Sequence, residues 1–464
     1  MAAGELAIVL HTHMPYVEGF GTWPFGEEWL WEAIATSYLP LLDVLDGFDG
    51  PPPLTLSVTP VLADQLEYRG TIERCRRFLE EIRPESHRRD IAELRARGEG
   101  APAAELQRSA GEYALAARRL AELSDGQGPG LLAALGRHAT WTSSATHAVL
   151  PLVATESGVE LQLQTGIASH RRRFPGAWSG GFWLPECAHA PWLDPLLDGV
   201  GVRATCVELT ALFGLGDRRH LRPLATADGP VLWPIDRATI ALVWGDGGYP
   251  SAPAYRDHHH HTTHRHRAWR IDGAPYDRTA ALHQARLDAR DFVGRVRARV
   301  ADGGVCVCAL DTELLGHWWY EGVEWLRAVL EHAGRQGLGL TTLDDGLSQN
   351  EPVAAPELPV TSWGEGGDLR TWSGPDVAEL AWQGRTAELG LAASPADGVS
   401  PRALRELLAL QSSDWAFQAH RRLAGDYPLQ RARGHADALA QALRRPTAAD
   451  PALRGLAPDL TGWS

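Results

Sequence analysis

Residues 305 to 310 read VCVCAL and run without a break into the carboxyl of Asp311. A strand that is apolar at every position needs cover on both faces, as in a parallel sheet flanked by helices; an antiparallel sheet with one wet face would alternate. The same form recurs along the chain. Leu6 to Leu10 ends in His11, Thr12 and His13, and Leu54 to Val58 is closed by Pro60. Leu161 to Gln164, Phe182 to Leu184, Ala204 to Val207, Ile240 to Trp244 and Leu338 to Thr342 are further strand candidates, most of them followed by a helical pattern. Short apolar strands alternating with helices, several ending in polar or acidic residues, predict an α/β fold. We expect a closed or nearly closed β/α barrel with its active face at the C-terminal rim.

The regular alternation is interrupted twice. From Asp64 to Leu123 charged residues abound and apolar ones recur at three and four positions, which predicts a helical insertion over about 64–140. After Asn350 a link containing Pro352, Pro356 and Pro359 leads into a Gly/Trp-rich loop, and from about Asp376 to Arg445 the pattern is helical, with Ser400 and Pro401 forming a good helix start. The division expected is a catalytic barrel over 1–350 and a C-terminal α-helical domain over 351–464.

Charge and composition remove several classes of function. The 44 Lys plus Arg against 58 Asp plus Glu give a net charge of -14, a field that repels nucleic acid and anionic membranes. No lysine occurs at all, which excludes Schiff-base chemistry and the lysines of P-loop and kinase sites. Cys75, Cys187, Cys206, Cys306 and Cys308 lack metal-ligand spacing and read as reduced buried thiols. The start of the chain has no basic segment before its apolar run, and no apolar stretch nears the roughly 20 residues that span a bilayer, so a cytoplasmic protein is expected. The 18 Trp against 9 Tyr and 9 Phe suggest a surface that binds flat, partly apolar groups such as sugar rings, core packing being the alternative for each single Trp.

Two carboxylates stand where a barrel rim would present them. Glu186 lies in GGFWLPECAHAPW, just past a short strand, and Asp311 ends the run Val305 to Leu310 with Glu313 two residues on. Two carboxyl groups on different strands of one rim suit glycosidic bond cleavage, one to attack or activate water and one to protonate the leaving oxygen. The residues alone do not rank Asp311 over Glu313. His11 and His13 point to one side of their strand, which fits a zinc pair, as in a metal-dependent deacetylase-like barrel, and equally fits contacts to sugar hydroxyls.

The segments HTHMPYVEGFGTWPFGEEWLWEA (His11 to Ala33), GFWLPECA (Gly181 to Ala188), ALDTELLGHWW (Ala309 to Trp319), SWGEGGDLRTW (Ser362 to Trp372) and QSSDWAF (Gln411 to Phe417) together resemble the motifs of glycoside hydrolase family 57, in particular its α-glucan branching enzymes. The resemblance implies an incomplete (β/α)7 TIM-like barrel, a helical C-terminal domain and no metal or other cofactor. It implies a retaining reaction on an α-1,4-glucan partner, with Glu186 as nucleophile and Asp311 as general acid/base, and α-1,6 branches as product. His11, His13, Trp23, His147, Tyr249, Trp269, Trp363, Trp372, Asp414 and Trp415 are the substrate-binding candidates it suggests, Trp363 and Trp372 foremost as sugar platforms. The family's branching enzymes close a tyrosine-bearing loop over the site, whereas Val231 to Pro253 is compact and offers Tyr249 in GGYPSAP. An α-amylase-type hydrolase is the alternative, and a non-catalytic glucan-binding protein a further one. The histidine cluster His258 to His261 with His264 and His266 is expected as a flexible surface segment.

Overall fold

The computed structural model describes residues 4–125, 128, 130–395, 399–445, 453 and 455–463. Seven parallel strands form its centre: β1 (Glu5–Thr12), β2 (Thr55–Val58), β3 (Ala139–Ser143), β4 (Gly181–Trp183), β5 (Ala204–Val207), β6 (Val231–Pro234) and β7 (Val305–Asp311). They lie in the order β6-β5-β4-β3-β2-β1-β7. The two edges meet where the Asp236 N–H, just past β6, donates to the carbonyl of Val307 at 2.8 Å. The chain thus builds an incomplete (β/α)7 barrel with a helical C-terminal region. The β1 and β7 side chains from Leu6 to Leu10 and from Val305 to Leu310 are all buried, as the unbroken apolar runs require.

Two expected strands are helices. Leu161 to Gln164 lies within Glu156–Arg173, whose first turn is capped by the Thr155 hydroxyl accepting from the Gly158 N–H at 3.0 Å. Ile240 to Trp244 lies within Arg237–Trp244, where the Asp236 carboxylate caps the Thr239 N–H at 2.9 Å. In both cases a cap residue begins the helix upstream of an apolar run that is itself too short to reveal its period. The strand adjoining the second is instead Val231–Pro234, and β3 is an addition. Gly181 in β4 has a specific reason to be glycine: a Cβ there would stand 2.1 Å from Nε1 of the Trp141 indole that crosses it from β3.

Between β2 and β3 the chain is helical from Pro60–Glu67 through the 25-residue helix Gly100–Ser124 to Leu131–Gly136. At the other end, Ala378–Ala392, Pro401–Leu410, Ser413–Arg421 and Tyr427–Arg444 form the C-terminal helices. Ser400 caps the second of these at the Ala403 N–H, with Pro401 in the first turn. The Pro-rich link is tied to the sheet, since Val353–Ala354 pairs with the short strand Leu224–Ala225. A cluster of Leu404, Leu407, Leu408 and Leu439 with Tyr16, Val61 and Leu161 packs the C-terminal helices against the loop after β1 and the helices Pro60–Glu67 and Glu156–Arg173. All five cysteines are buried and free. Among the described residues no helix is long and apolar enough to cross a membrane.

Candidate active site

Strand register assembles the rim. His11 near the end of β1 pairs with Asp311 on one side and with Ser57 of β2 on the other, so the three side chains emerge on one face at one level. Past β4 the backbone turns sharply through Glu186 (φ 62, ψ 21) and Cys187 (φ 48), left-handed positions that cost a residue with a side chain about 1–3 kcal/mol. A carboxylate in such a turn is held by its surroundings. Reciprocal backbone bonds between His189 and Thr361, both 2.9 Å, lash this turn to the loop carrying Trp363, whose own N–H donates to the Glu186 carbonyl at 2.9 Å.

Both carboxylate oxygens of Glu186 accept a hydrogen bond. The Trp363 indole Nε1–H donates to Oε2 at 2.7 Å and the Ser413 hydroxyl donates to Oε1 at 2.8 Å. Ser413 has a single proton, so its oxygen must accept from Nδ1–H of His147 at 2.8 Å. The neutral His147 ring then accepts at Nε2 from Nε2–H of His11 at 2.9 Å, and His11 accepts at Nδ1 from the Ser57 hydroxyl at 3.3 Å. The tautomers follow from the donor count along the chain, and every proton in it points toward Glu186. Burial, and the charge of His13 beside them, hold His11 and His147 well below the ordinary imidazole range, which keeps both neutral as the chain requires.

The remaining groups divide the charge. Burial works against a charged His13, but Asp414 at 2.9 Å overrides it and raises His13 above its ordinary range. The partnership also sets Asp414 below the usual carboxylate range, burial notwithstanding, with the Ser412 hydroxyl donating at 2.6 Å. Glu313 is buried, and that burial moves it to about 7; its Oε1 accepts from the Tyr38 hydroxyl at 2.6 Å and the His13 N–H at 3.1 Å. Asp311 is the exposed end of β7, reachable by water. Crowding by the protein and the nearby charges of Glu313 and Glu186 push its carboxyl well above the usual range. Glu186 is raised by its burial, but the Trp363 and Ser413 donors oppose that rise. Both rim carboxyls are thus raised, Asp311 the more strongly, while the two donors on Glu186 favour its anion.

The remaining sequence candidates separate. His13 and His147 stack with ring centroids 4.0 Å apart, His147 on His11 at 4.9 Å and His11 on Trp183 at 4.7 Å, so these rings form one continuous stack. Trp23, on the loop after β1, is 56% exposed and has the Arg265 guanidinium over its ring, 5.8 Å from the centroid. Trp372 and Trp415 are each 2% exposed, packed with Val149, Ala188 and Val377, so neither offers a face to a sugar. Trp269 packs on Ile91, Leu94 and Leu106 of the helical insertion while His260 stacks on it at 4.0 Å. The Tyr249 hydroxyl donates to Asp291 at 2.7 Å, on the outer helix Arg278–Arg299. The histidine cluster is docked where flexibility was expected: His264 bonds Asp90 at 2.6 Å, His266 bonds Ser86 at 3.0 Å, and His258 lies on Trp318.

Ser413, Ser57 and Tyr38 escape the sequence reading. Hydroxyls are too common to signal themselves, although the position of Ser413 beside Asp414 in QSSDWAF was a hint. His13, His147 and Asp414 bring ligand-type atoms within 4.8 Å of one another, a donor set that zinc accepts. Each of those atoms is already engaged in the hydrogen bonds above, so the arrangement fits a proton network better than a metal centre.

Comparisons with known proteins bear on the family and the fold. Residues 132–359 match the model of glycosyl hydrolase family 57, and residues 385–454 match that of the 1,4-alpha-glucan branching enzyme C-terminal region. A probable 1,4-alpha-glucan branching enzyme of Mycobacterium tuberculosis is 33% identical over 94% of this chain and 91% of its own. The crystal structure of a branching enzyme of this family from Pyrococcus horikoshii superposes with a TM-score of 0.85 at 30% identity, covering 98% of this chain and 93% of the other. An alpha-amylase from Thermotoga maritima shares the fold, with a TM-score of 0.79 at 24% identity over 100% of this chain and 98% of that one.

Proposed function

The chain belongs to glycosyl hydrolase family 57, and from that premise we propose that it acts as a retaining 1,4-α-glucan branching enzyme with Glu186 and Asp311 as its catalytic pair. The observation that supports the assignment is the paired donation to Glu186 from Trp363 and Ser413, on a rim where His11 of β1 stands in register with Asp311 of β7. Asp311 gives a proton to the glycosidic oxygen as the C1–O4 bond breaks, and the Glu186 carboxylate bonds to C1 to form a β-glucosyl-enzyme. Asp311, now the base, takes the proton of a 6-hydroxyl on an acceptor glucan, whose oxygen displaces Glu186 to form an α-1,6 bond. The engagement of Glu313 Oε1 with Tyr38 and the His13 backbone supports Asp311 over Glu313 for the acid role.

In this account Trp363, His11 and His147 act through Glu186, and the exposed Trp23, shared with the Arg265 guanidinium, is a candidate to stack on a sugar. Incubation with a 5-fluoroglucosyl fluoride, which forms the glucosyl-enzyme faster than it is discharged, tests the nucleophile by mass spectrometry. The label is expected on the peptide containing Glu186; a label on another carboxylate, or an unlabelled active protein, overturns the assignment.

Tyr249 favours a second reading. Branching requires that water be kept from the glucosyl-enzyme, and the Tyr249 hydroxyl is directed to Asp291. Were no other group to shield the intermediate, the same two carboxylates would give an α-glucan hydrolase.

A further inference from the structure

A hollow of about 530 Å³ lies where the barrel loops meet the C-terminal helices, lined by Thr155, Glu156, Trp192, Leu196 and Arg385. Its volume falls within the roughly 300–1,000 Å³ of ligand clefts. Its walls are fixed by a buried carboxylate: Glu388, 1% exposed on the helix Ala378–Ala392, accepts from the N–H groups of Ala154 and Thr155, both at 2.8 Å, and from Gln411 at 3.0 Å. The loop forming one side is thereby pinned to the helix that supplies Arg385, and the hollow exists before any ligand arrives.

The lining specifies a chemistry. The indole of Trp192 is 47% exposed, a large apolar face with an N–H at its edge. Trp382, 67% exposed, stands three residues before Arg385 on the same helix and so shares its face. Arg385 and Glu156 add one cation and one anion, so the hollow carries no net charge within a chain of net charge -14. That balance gives a phosphate-bearing ligand no advantage, while aromatic faces beside paired donors and acceptors suit a neutral polyhydroxyl chain. Trp192 also lies six residues beyond Glu186, on the segment leading away from the rim.

We propose that this hollow is a second binding site for α-glucan, separate from the catalytic rim, which holds a strand of the polymer while another is cut. The proposal rests on the α-glucan reading above. Trp192→Ala and Arg385→Ala are compared with the wild type for retardation in native gels containing glycogen, for turnover of a short maltooligosaccharide, and for mass in solution. The site predicts that each variant binds glycogen about three- to tenfold more weakly, as expected for loss of one stacked ring or ionic hydrogen bond, with short-substrate turnover unchanged. Retardation equal to wild type overturns it. A parallel fall in short-substrate turnover also overturns it, by making the hollow part of the catalytic cleft, and so does a lower mass in solution with retardation intact, by making it a contact between copies. A wild type that neither binds nor converts any α-glucan removes the underlying reading first, a result distinct from loss in the variants alone.

Discussion

Replacing Trp363 by Phe separates two roles that an aromatic residue at an active rim can play. The substitution keeps a ring against Trp183, whose centroid lies 5.2 Å away, and keeps the backbone N–H that fixes the turn at Glu186. It removes the indole N–H that lies 2.7 Å from Oε2 of Glu186. A hydrogen bond to a charged group contributes about 1.5–3 kcal/mol, and at about 1.4 kcal/mol per tenfold that is a loss of roughly 10- to 150-fold in kcat. The same loss destabilises the Glu186 anion, so the acid limb of the pH profile moves upward by about 1–2 pH units. Initial rates on amylose across the acid and neutral range, with kcat and KM resolved, measure both effects. A variant with unchanged kcat and acid limb but raised KM would show that Trp363 is a sugar platform and refute the positioning argument.

Four further outcomes are expected. Ser413→Ala leaves Oε1 of Glu186 without its donor and Nδ1–H of His147 without its acceptor, and kcat should fall about 10- to 100-fold with KM little changed, read in the same assay. Asp311→Ala should lose turnover of glucan yet, with azide added, turn over α-glucosyl fluoride, whose leaving group needs no proton, releasing an α-glucosyl azide; an azide product of β configuration would exchange the roles of the two carboxylates. Tyr249→Phe should leave the ratio of branching to hydrolysis as it is, because that hydroxyl serves Asp291; a rise in hydrolysis measured by reducing ends would give Tyr249 the shielding role.

The fourth concerns stability. His87 and His170 are buried, and that burial depresses each to about 4 from 6.5. The native state therefore holds both neutral, and their contribution is present above pH 6.5 and lost as pH falls toward 4, on the order of 3 kcal/mol each as an upper bound. Urea denaturation at pH 7 and pH 5 should show a smaller acid loss for His87→Gln than for wild type.

The parts of the fold legible in the sequence are those whose residues are all of one kind. VCVCAL and LAIVL admit no wet face, so β7, β1 and the polar residues at their ends could be placed without coordinates. β3 reads ATWTS, a mixture whose polar side chains are satisfied only by neighbours far along the chain: the Ser143 hydroxyl, for one, donates to the Trp183 carbonyl at 2.8 Å. The alternation in LQLQ imitates a strand, but Gln162 is buried and turns its amide to Thr146 and Gln411, so a buried polar network inside a helix produced the wrong period.

At the site, residue identity told more than residue role. Both rim carboxylates and the three histidines stood out, but whether His147 meets a sugar or a serine depends on the meeting of β1, the loop after β3 and a C-terminal helix, from residues 11, 147 and 413. Trp363, Trp372 and Trp415 occupy similar motifs, yet one donates to Glu186 and two are packed away, a distinction that burial makes and spacing cannot.

The central claim, a retaining pair that transfers a glucan segment to a hydroxyl, is tested most directly by incubating the purified protein with amylose and counting new α-1,6 linkages against new reducing ends, with Glu186→Gln as the blank. The account predicts branch points well in excess of reducing ends and neither product from the blank. Reducing ends without α-1,6 linkages, or either product persisting in Glu186→Gln, would contradict it.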